Sequence, residues 1–341
     1  FDYSGGATCP SLLLEPSRDN RIVQSEYFGG WTANTTITAN AALSPEGVQN
    51  AYNIASNSGV GNGILLISGV LSSTQYVCSI YVKSAGATTG KLRLFDGSSG
   101  ASTTTTFTPT SEWQRVEVTR TTGAGTFQVR TDIHSNDGDL LIYGAQLEAG
   151  SYSTSYIPTY GVNQTRAVDV CNKTGVTALI GQSEGTMFLD FVVNDSNIFQ
   201  IIYQARTTGG TNVGQIDFRI QSGNLRVLGN DGGTAQFNIS AGAAVAGTRY
   251  KCALRYATND VAFYVNGVLK GSDTNASFSS STLSQITFNE NGSNFYPNVD
   301  VKQALLFKTP LSNLDLAILT GATTYNTFAE MALALNYTVY E

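Results

Sequence analysis

Within eight residues, written DIHSNDGD, stand Asp132, Asn136, Asp137 and Asp139. Oxygen-rich spacing of this kind suits a hard cation, since Ca2+ gathers carboxylate, amide and backbone oxygens. The stretch lacks the full EF-hand series and its distal Glu, so a structural calcium ion and a solvated turn stand as alternative readings. It also holds His134, the single histidine of the chain. A Ser-His-Asp triad would have to use that residue, yet its polar surroundings read as an exposed turn between strands. A second kind of chemistry is ring stacking, in which aromatic faces meet the apolar face of a sugar while amides and carboxylates meet its hydroxyls. Asn289, Asn291, Asn294, Phe295 and Tyr296 form one polar-aromatic stretch of that composition, and Tyr27, Phe28, Trp31 and Tyr52 lie in another. These are candidate glycan contacts, with Trp31 fitting a core position better than a ligand contact.

Other chemistries find no motif. There is no G-x-S-x-G elbow, no G-x-x-x-x-G-K-[ST] loop and no strand-anchored G-x-G-x-x-G, which argues against a serine hydrolase of that type and against nucleotide binding. The net charge is −6, without a basic cluster, so a nucleic-acid partner lacks its electrostatic footprint. No apolar run reaches the roughly 18 residues of a membrane span. The four cysteines, Cys9, Cys78, Cys171 and Cys252, match no metal spacing. Two intradomain disulfides are possible, while Cys78 and Cys252 sit in strand patterns where free buried thiols are common. The chain opens on Phe1 rather than Met, which reads as a processed or excised segment.

The elements that would hold these residues are short strands. At 341 residues the chain has room for two domains, and its 13% charged content is low against the roughly 25% of ordinary globular proteins. In QYVCSIYVKS, Tyr76, Cys78, Ile80 and Val82 alternate with Val77, Ser79, Tyr81 and Lys83, a period of two. EWQRVEVTRT, TFQVRTDIH and DLLIYGAQLE continue the pattern between Gly/Ser/Thr turns. The second half offers GTMFLDFVVN, a hairpin turning at Ser222-Gly223-Asn224, another at Thr258-Asn259-Asp260, and a third at Asn266-Gly267. Helical signals come last: Ser312 stands three before Asp315 with Gly321 as a left-handed stop, and Thr327 to Glu330 forms a capping box. The fold class is therefore all-β, two tandem antiparallel sandwiches with short C-terminal helices acting as a cap.

Three features carry a resemblance. Trp31, the central YVCSIYVKS, EWQRVEVT and the final LLIYGAQLE resemble carbohydrate-binding-module jelly rolls. FDY…CPSLLLEP at Phe1–Pro16, and GAQLEAGSYSTSYIPT followed by TRAVDV at 165–170, resemble the opening and closing of such modules in bacteriophage tail and head-fibre proteins. GTMFLDF, YVNGVLKG and ALLFKTPLSNLDLAILT resemble the laminin-G-like, concanavalin-like sandwich that follows the jelly roll in phage tail proteins. The resemblance implies a jelly roll over 1–160 and a laminin-G-like domain with its helical cap over 161–341. Tyr152, Tyr156 and Tyr160 are amphipathic residues that suit a domain border and are expected to pack on the first module as the chain leaves it, with a ligand-facing tyrosine platform as the alternative. Concanavalin-like hydrolases often carry E-x-D-x-x-E on one strand; here GTMFLDF has only Asp190, with Glu184 before it.

The expected function is thus a non-enzymatic bacteriophage virion protein of a tail or head fibre, made in the host cytoplasm and exposed on the particle. It would attach to a host-surface glycan, a neutral one by composition, without nucleic acid or membrane insertion. A homotrimer is implied by resemblance alone. Two alternatives stand beside it: a structural decoration or assembly module that binds other virion proteins, and the accessory modules of a polysaccharide-degrading enzyme.

Overall fold

The computed structural model describes residues 12–57, 64–97, 99–126, 128–209, 213–288, 297–321, 330 and 332–333. Period-two sequences become strands throughout, and the named strand pairs are antiparallel. The chain divides into two compact units, one of Ser17–Ala167 and one of Phe1–Pro16 with Val168–Glu341. This differs from the expected division at 160/161.

In the unit Ser17–Ala167, the described residues form two five-stranded sheets and a two-stranded ribbon. One sheet runs, in spatial order, Gln114–Thr121, Gln75–Ala85, Asp139–Ala149, Ala51–Ile54 and Ile37–Ala42. The other runs Thr32–Ala33, Ile64–Gly69, Gln128–Ser135, Gly90–Asp96 and Ser102–Phe107. Tyr76, Cys78, Ile80 and Val82 from the first sheet meet Ile64, Leu92, Leu94, Val129 and Ile133 from the second in one buried core. The alternation seen in the sequence is the alternation of this sandwich. The ribbon pairs Arg18–Asn20 with Gln164–Arg166, so the segment TRAVDV does begin by closing this unit.

The other unit stacks two six-stranded sheets among the described residues. Met187, Leu189, Phe191, Cys252 and Leu254 on one face Ile216, Phe218, Ile220 and Val227 on the other. Asn266 and Gly267, with φ of 49° and 81°, make a two-residue turn, and Ser222 and Gly223, with φ of 51° and 72°, make another. Both pairs sit in the left-handed region that such turns require. SLLLEP, expected to open the first module, lends its described part elsewhere. Leu12–Leu13 pairs with Val299–Phe307, Leu12 opposite Val301, and Leu12 packs on the core of the same unit. Glu15 and Asp169 reinforce this: the Glu15 N–H donates to Asp169 Oδ2 at 3.0 Å, and the Asp169 N–H to the Glu15 carbonyl at 3.0 Å.

The helix Asn313–Thr320 starts in the expected capping box of Ser312 and Asp315. Leu311, Leu316 and Leu319 cover Phe188, Ala253, Ala262 and Tyr264, so the helix caps the outer face of one sheet. Gly321 is not left-handed as expected; its φ of −65° and ψ of 178° are extended, and its N–H closes a tighter turn on the Ile318 carbonyl at 3.1 Å. The capping box at Thr327 to Glu330 lies outside the described residues except for Glu330. Cys78, Cys171 and Cys252 are free thiols. Cys9 lies outside the described residues.

Two buried polar groupings tie these units together internally, one in each. Asn20 is fully buried; its amide donates to the Ala145 carbonyl (3.2 Å) and the Ile157 carbonyl (2.8 Å), and its oxygen accepts from the Ile22 N–H (3.0 Å) and the Leu147 N–H (3.1 Å). On Gln215–Gln221, the residues alternating with the core-facing Ile216, Phe218 and Ile220 form a buried polar row. In it the Arg219 guanidinium grips Asp217 with two bonds of 2.6 Å. Asn20→Ala strands four backbone partners, and hydrogen-exchange protection of Gln75–Ala85 should fall by at least about 2 kcal/mol. Asp217→Ala leaves a buried guanidinium unpaired and should cost about 3–5 kcal/mol in chemical denaturation, while the double change Asp217→Leu, Arg219→Met recovers most of it.

Candidate functional site

The motif GAQLEAGSYSTSYIPT begins as a strand and then folds back over it. Gly144, at φ of 61°, sits in a bulge of Asp139–Ala149 where the register against Gln75–Ala85 shifts between Tyr143 and Gln146. A methyl at Gly144 would lie 3.2 Å from the Tyr156 ring and 3.3 Å from the Tyr81 ring, so both the conformation and the close approach call for glycine. Beyond Gly150 the chain is held by the side chains it has just passed. The Thr154 hydroxyl and N–H donate to Glu148, the N–H at 3.0 Å. Gln146 accepts from the Ile157 N–H at 2.6 Å and donates to the Thr154 carbonyl at 3.3 Å. Arg115 adds a bond to the Thr154 carbonyl at 2.6 Å and one to Ser79 Oγ at 2.8 Å, with its guanidinium 5.5 Å from the Tyr81 ring centre.

This return lays Tyr156 against Tyr143 and Tyr81, with ring centres 5.7 and 6.3 Å apart and the rings edge-on. Tyr81 and Tyr143 stand directly opposite each other in the ladder. The Ser25 hydroxyl accepts from the Thr159 N–H (2.8 Å) and lies 2.6 Å from the Tyr156 hydroxyl, which in turn donates to Glu26 Oε1 at 3.2 Å. Tyr160 donates to the same Glu26 oxygen at 3.4 Å. Two phenols thus converge on one carboxylate oxygen, leaving Glu26 Oε2 beside them. Tyr160 is 72% exposed. Tyr27, the next residue after Glu26, is 56% exposed, with its ring laid along Gly29, where a methyl would come within 3.0 Å of it. The arrangement is a carboxylate and exposed aromatic rings carried on a rigid sandwich. Such an arrangement offers ring faces and carboxylate acceptors, which is the chemistry that a ligand with an apolar face and hydroxyl donors would need.

The residues proposed from sequence separate here. Tyr27 reaches the surface, whereas Trp31 is 4% exposed and packs 5.1 Å from Phe28, with its indole N–H donating to the Gln24 carbonyl at 3.3 Å. Phe28 and Tyr52 are buried beside it, 5.4 Å apart, so that loop-like stretch is largely core. Asn289, Asn291, Asn294, Phe295 and Tyr296 lie outside the described residues. The DIHSNDGD stretch is divided among separate partners. Asp132 and His134 are not in a turn but in the strand Gln128–Ser135, both buried; Asp132 pairs with Arg93 at 2.6 Å, and His134 Nδ1 is 3.5 Å from Asp132. His134 is therefore a strand residue, 4% exposed: the alternation of Gln128–Thr131 would leave it in solvent, but Thr131–Ser135 are buried on both faces. Asp137 accepts from the hydroxyls of Thr88 (2.5 Å) and Ser135 (2.8 Å), which hold its carboxyl well below the usual carboxylate range. Asp139 accepts from Asn53 and the Ser56 N–H, and Asn136 is exposed. Among the described residues no three His, Cys, Asp or Glu side chains gather as metal ligands.

Glu26 and Ser25 escaped the sequence reading. Their signal was faint: a lone Glu beside Tyr27, and the i, i+4 pair Tyr156 and Tyr160 in a segment read as a border.

The chain resembles sialidase carbohydrate-binding modules among solved structures. No family model matches it, and no curated protein is similar in sequence. The Ruminococcus gnavus IT-sialidase CBM40 overlaps 41% of this chain and 84% of its own length, with 18% identity and a TM-score of 0.36. The same module bound to α2,3-sialyllactose overlaps 43% of this chain and 86% of its own, with 18% identity and a TM-score of 0.37. A heptameric SAP-like pentraxin from Limulus polyphemus overlaps 42% of this chain and 72% of its own, with 13% identity and a TM-score of 0.36.

Burial, followed by the Glu46 and Glu26 carboxylates, pushes the Tyr143 phenol far above its ordinary value of 10.0. Burial likewise raises Tyr156, with the Ser25 hydroxyl opposing and Glu26 adding to it. Unfolded tyrosine releases its proton near pH ~10, where these two retain theirs. Their contribution is thus fully present below that pH and is lost as pH rises above it. Tyr143→Phe removes one such group. Its melting temperature should fall less steeply than the parent's between about pH 9 and 11. Part of the slope will persist, because Tyr156 is retained and the Cys78 thiol is pushed up to about 12 by burial.

Proposed function

We propose that this chain is a non-enzymatic bacteriophage virion protein, of a tail or head fibre, that attaches to a glycan on the host surface. The observation that carries the binding part of this reading is the pairing of the exposed Tyr160 ring with Glu26, locked from below by Tyr156 and Ser25. A sugar needs a flat apolar surface for its C–H face and acceptors for its hydroxyls. Both are pre-placed here, so little conformational entropy is lost on binding. The virion context rests on the resemblance of the opening and closing segments to phage fibre modules. A low charged fraction and a surface rich in Asn, Ser and Thr favour an uncharged polysaccharide.

A glycan array probed with the full chain tests this, with Tyr160→Ala and Glu26→Gln alongside. Each variant should weaken the binding by about tenfold or more, about 1.4 kcal/mol, with an unchanged melting temperature. Trp31→Ala should instead lower the melting temperature, because it opens a cavity in the core. Undiminished binding by both surface variants would sink the assignment of this surface.

A further inference from the structure

The surface around Tyr160 carries more negative charge than its hydrogen bonds use. Glu26 Oε1 takes both phenols, Tyr156 at 3.2 Å and Tyr160 at 3.4 Å, while Oε2 accepts no bond from a described residue. A second carboxylate, Glu46, stands exposed on the turn that joins Ile37–Ala42 to Ala51–Ile54. That turn is firmly built. The Ser44 N–H donates to the Val48 carbonyl at 2.8 Å, Gly47 takes a φ of 78°, and the Trp113 indole N–H donates to the Leu43 carbonyl at 3.0 Å. From there Glu46 meets the same phenols. It faces the Tyr143 hydroxyl, and partial burial, then the charges of Glu26 and Glu46, raise Tyr160 above its ordinary value. Neither carboxylate has a Lys, Arg or His at ion-pair distance among the described residues. Arg115, which lies against the Tyr81 ring, is spent on the Thr154 carbonyl and Ser79.

We infer that the sugar unit bound at this surface carries a free, protonated amine. This rests on the attachment reading above and names the unit that is recognised. Two like charges held around one group of phenols, without a counter-cation, make a local negative potential that an ammonium group relieves. The face of an exposed tyrosine ring attracts the same ammonium. An N-acetylated unit gains neither attraction. Calcium fits less well, since it gathers about six to eight oxygens. Here Glu26 Oε1 is already shared by two phenols, and no third acidic side chain joins the pair among the described residues. The composition of the whole chain suits an uncharged polymer, whereas this charge is local, so the amine belongs to single units within such a polymer.

The test is calorimetric titration of the full chain, at low salt and about pH 6, where an amine with a pKa of about 7.7 is charged. The probes are fully deacetylated chitotriose, its N-acetylated counterpart and cellotriose. Chitotriose should bind at least about tenfold more tightly than either of the others, and added salt should shrink that margin. Glu46→Gln, a change on an exposed turn, should cut the chitotriose affinity by about tenfold while leaving the melting temperature and the affinity for the acetylated trimer unchanged. That selectivity is a readout a merely structural glutamate would not move. Equal affinity for all three sugars, full chitotriose affinity in Glu46→Gln, or displacement of chitotriose by calcium at matched ionic strength overturns the inference. Those results leave the attachment reading standing if array hits on uncharged glycans are lost in Tyr160→Ala. Array hits that survive both Tyr160→Ala and Glu26→Gln defeat the attachment surface, and this inference with it.

Discussion

The grip of Gln146 and Glu148 on the backbone of residues 154–157 is the constraint on which the surface of the unit Ser17–Ala167 depends. Both side chains are fully buried, and both leave the strand on the face turned away from the core. A sheet face carrying an amide, a carboxylate and two tyrosines cannot be left half-wet without cost. The chain solves this by bending back over its own last strand and meeting those groups with its backbone. Asn20 completes the closure by tying the start of the unit to the same strand and to Ile157.

Everything at the candidate surface follows from that return. Gly144 creates the space, Tyr156 fills it, Ser25 and Glu26 anchor its hydroxyl, and Tyr160 emerges at the end with its ring in solvent. The surface is thus stiff for a reason that can be named, group by group. Stiffness matters for recognition, because contacts that need no ordering give more net affinity for the same area.

Much of the architecture was legible in the sequence, where local rules and the fold agree. The alternation of Gln75–Ala85 and the dipeptides Ser222-Gly223 and Asn266-Gly267 encode a strand and two turns through nearest-neighbour physics alone. Ser312 and Asp315 marked the helix start in the same way. What escaped was decided by partners distant along the chain. DIHS read as polar because nothing nearby showed that Arg93 would neutralise Asp132 inside the strand. Leu12–Leu13 carried no sign that its partner was Val301. Glu26 became part of a surface only when Tyr156 and Tyr160 came back to it.

The pairing of Leu12–Leu13 with Val299–Phe307 makes the unit Ser17–Ala167 an insertion between an edge strand and the sheet it completes. Its own ends are fastened to each other through Arg18–Asn20 and Gln164–Arg166. During synthesis the inserted unit therefore has all its strands long before the host sandwich can recruit its first one, and the early edge segment must wait for the ribosome to deliver its partner. An order of assembly is written into the connectivity.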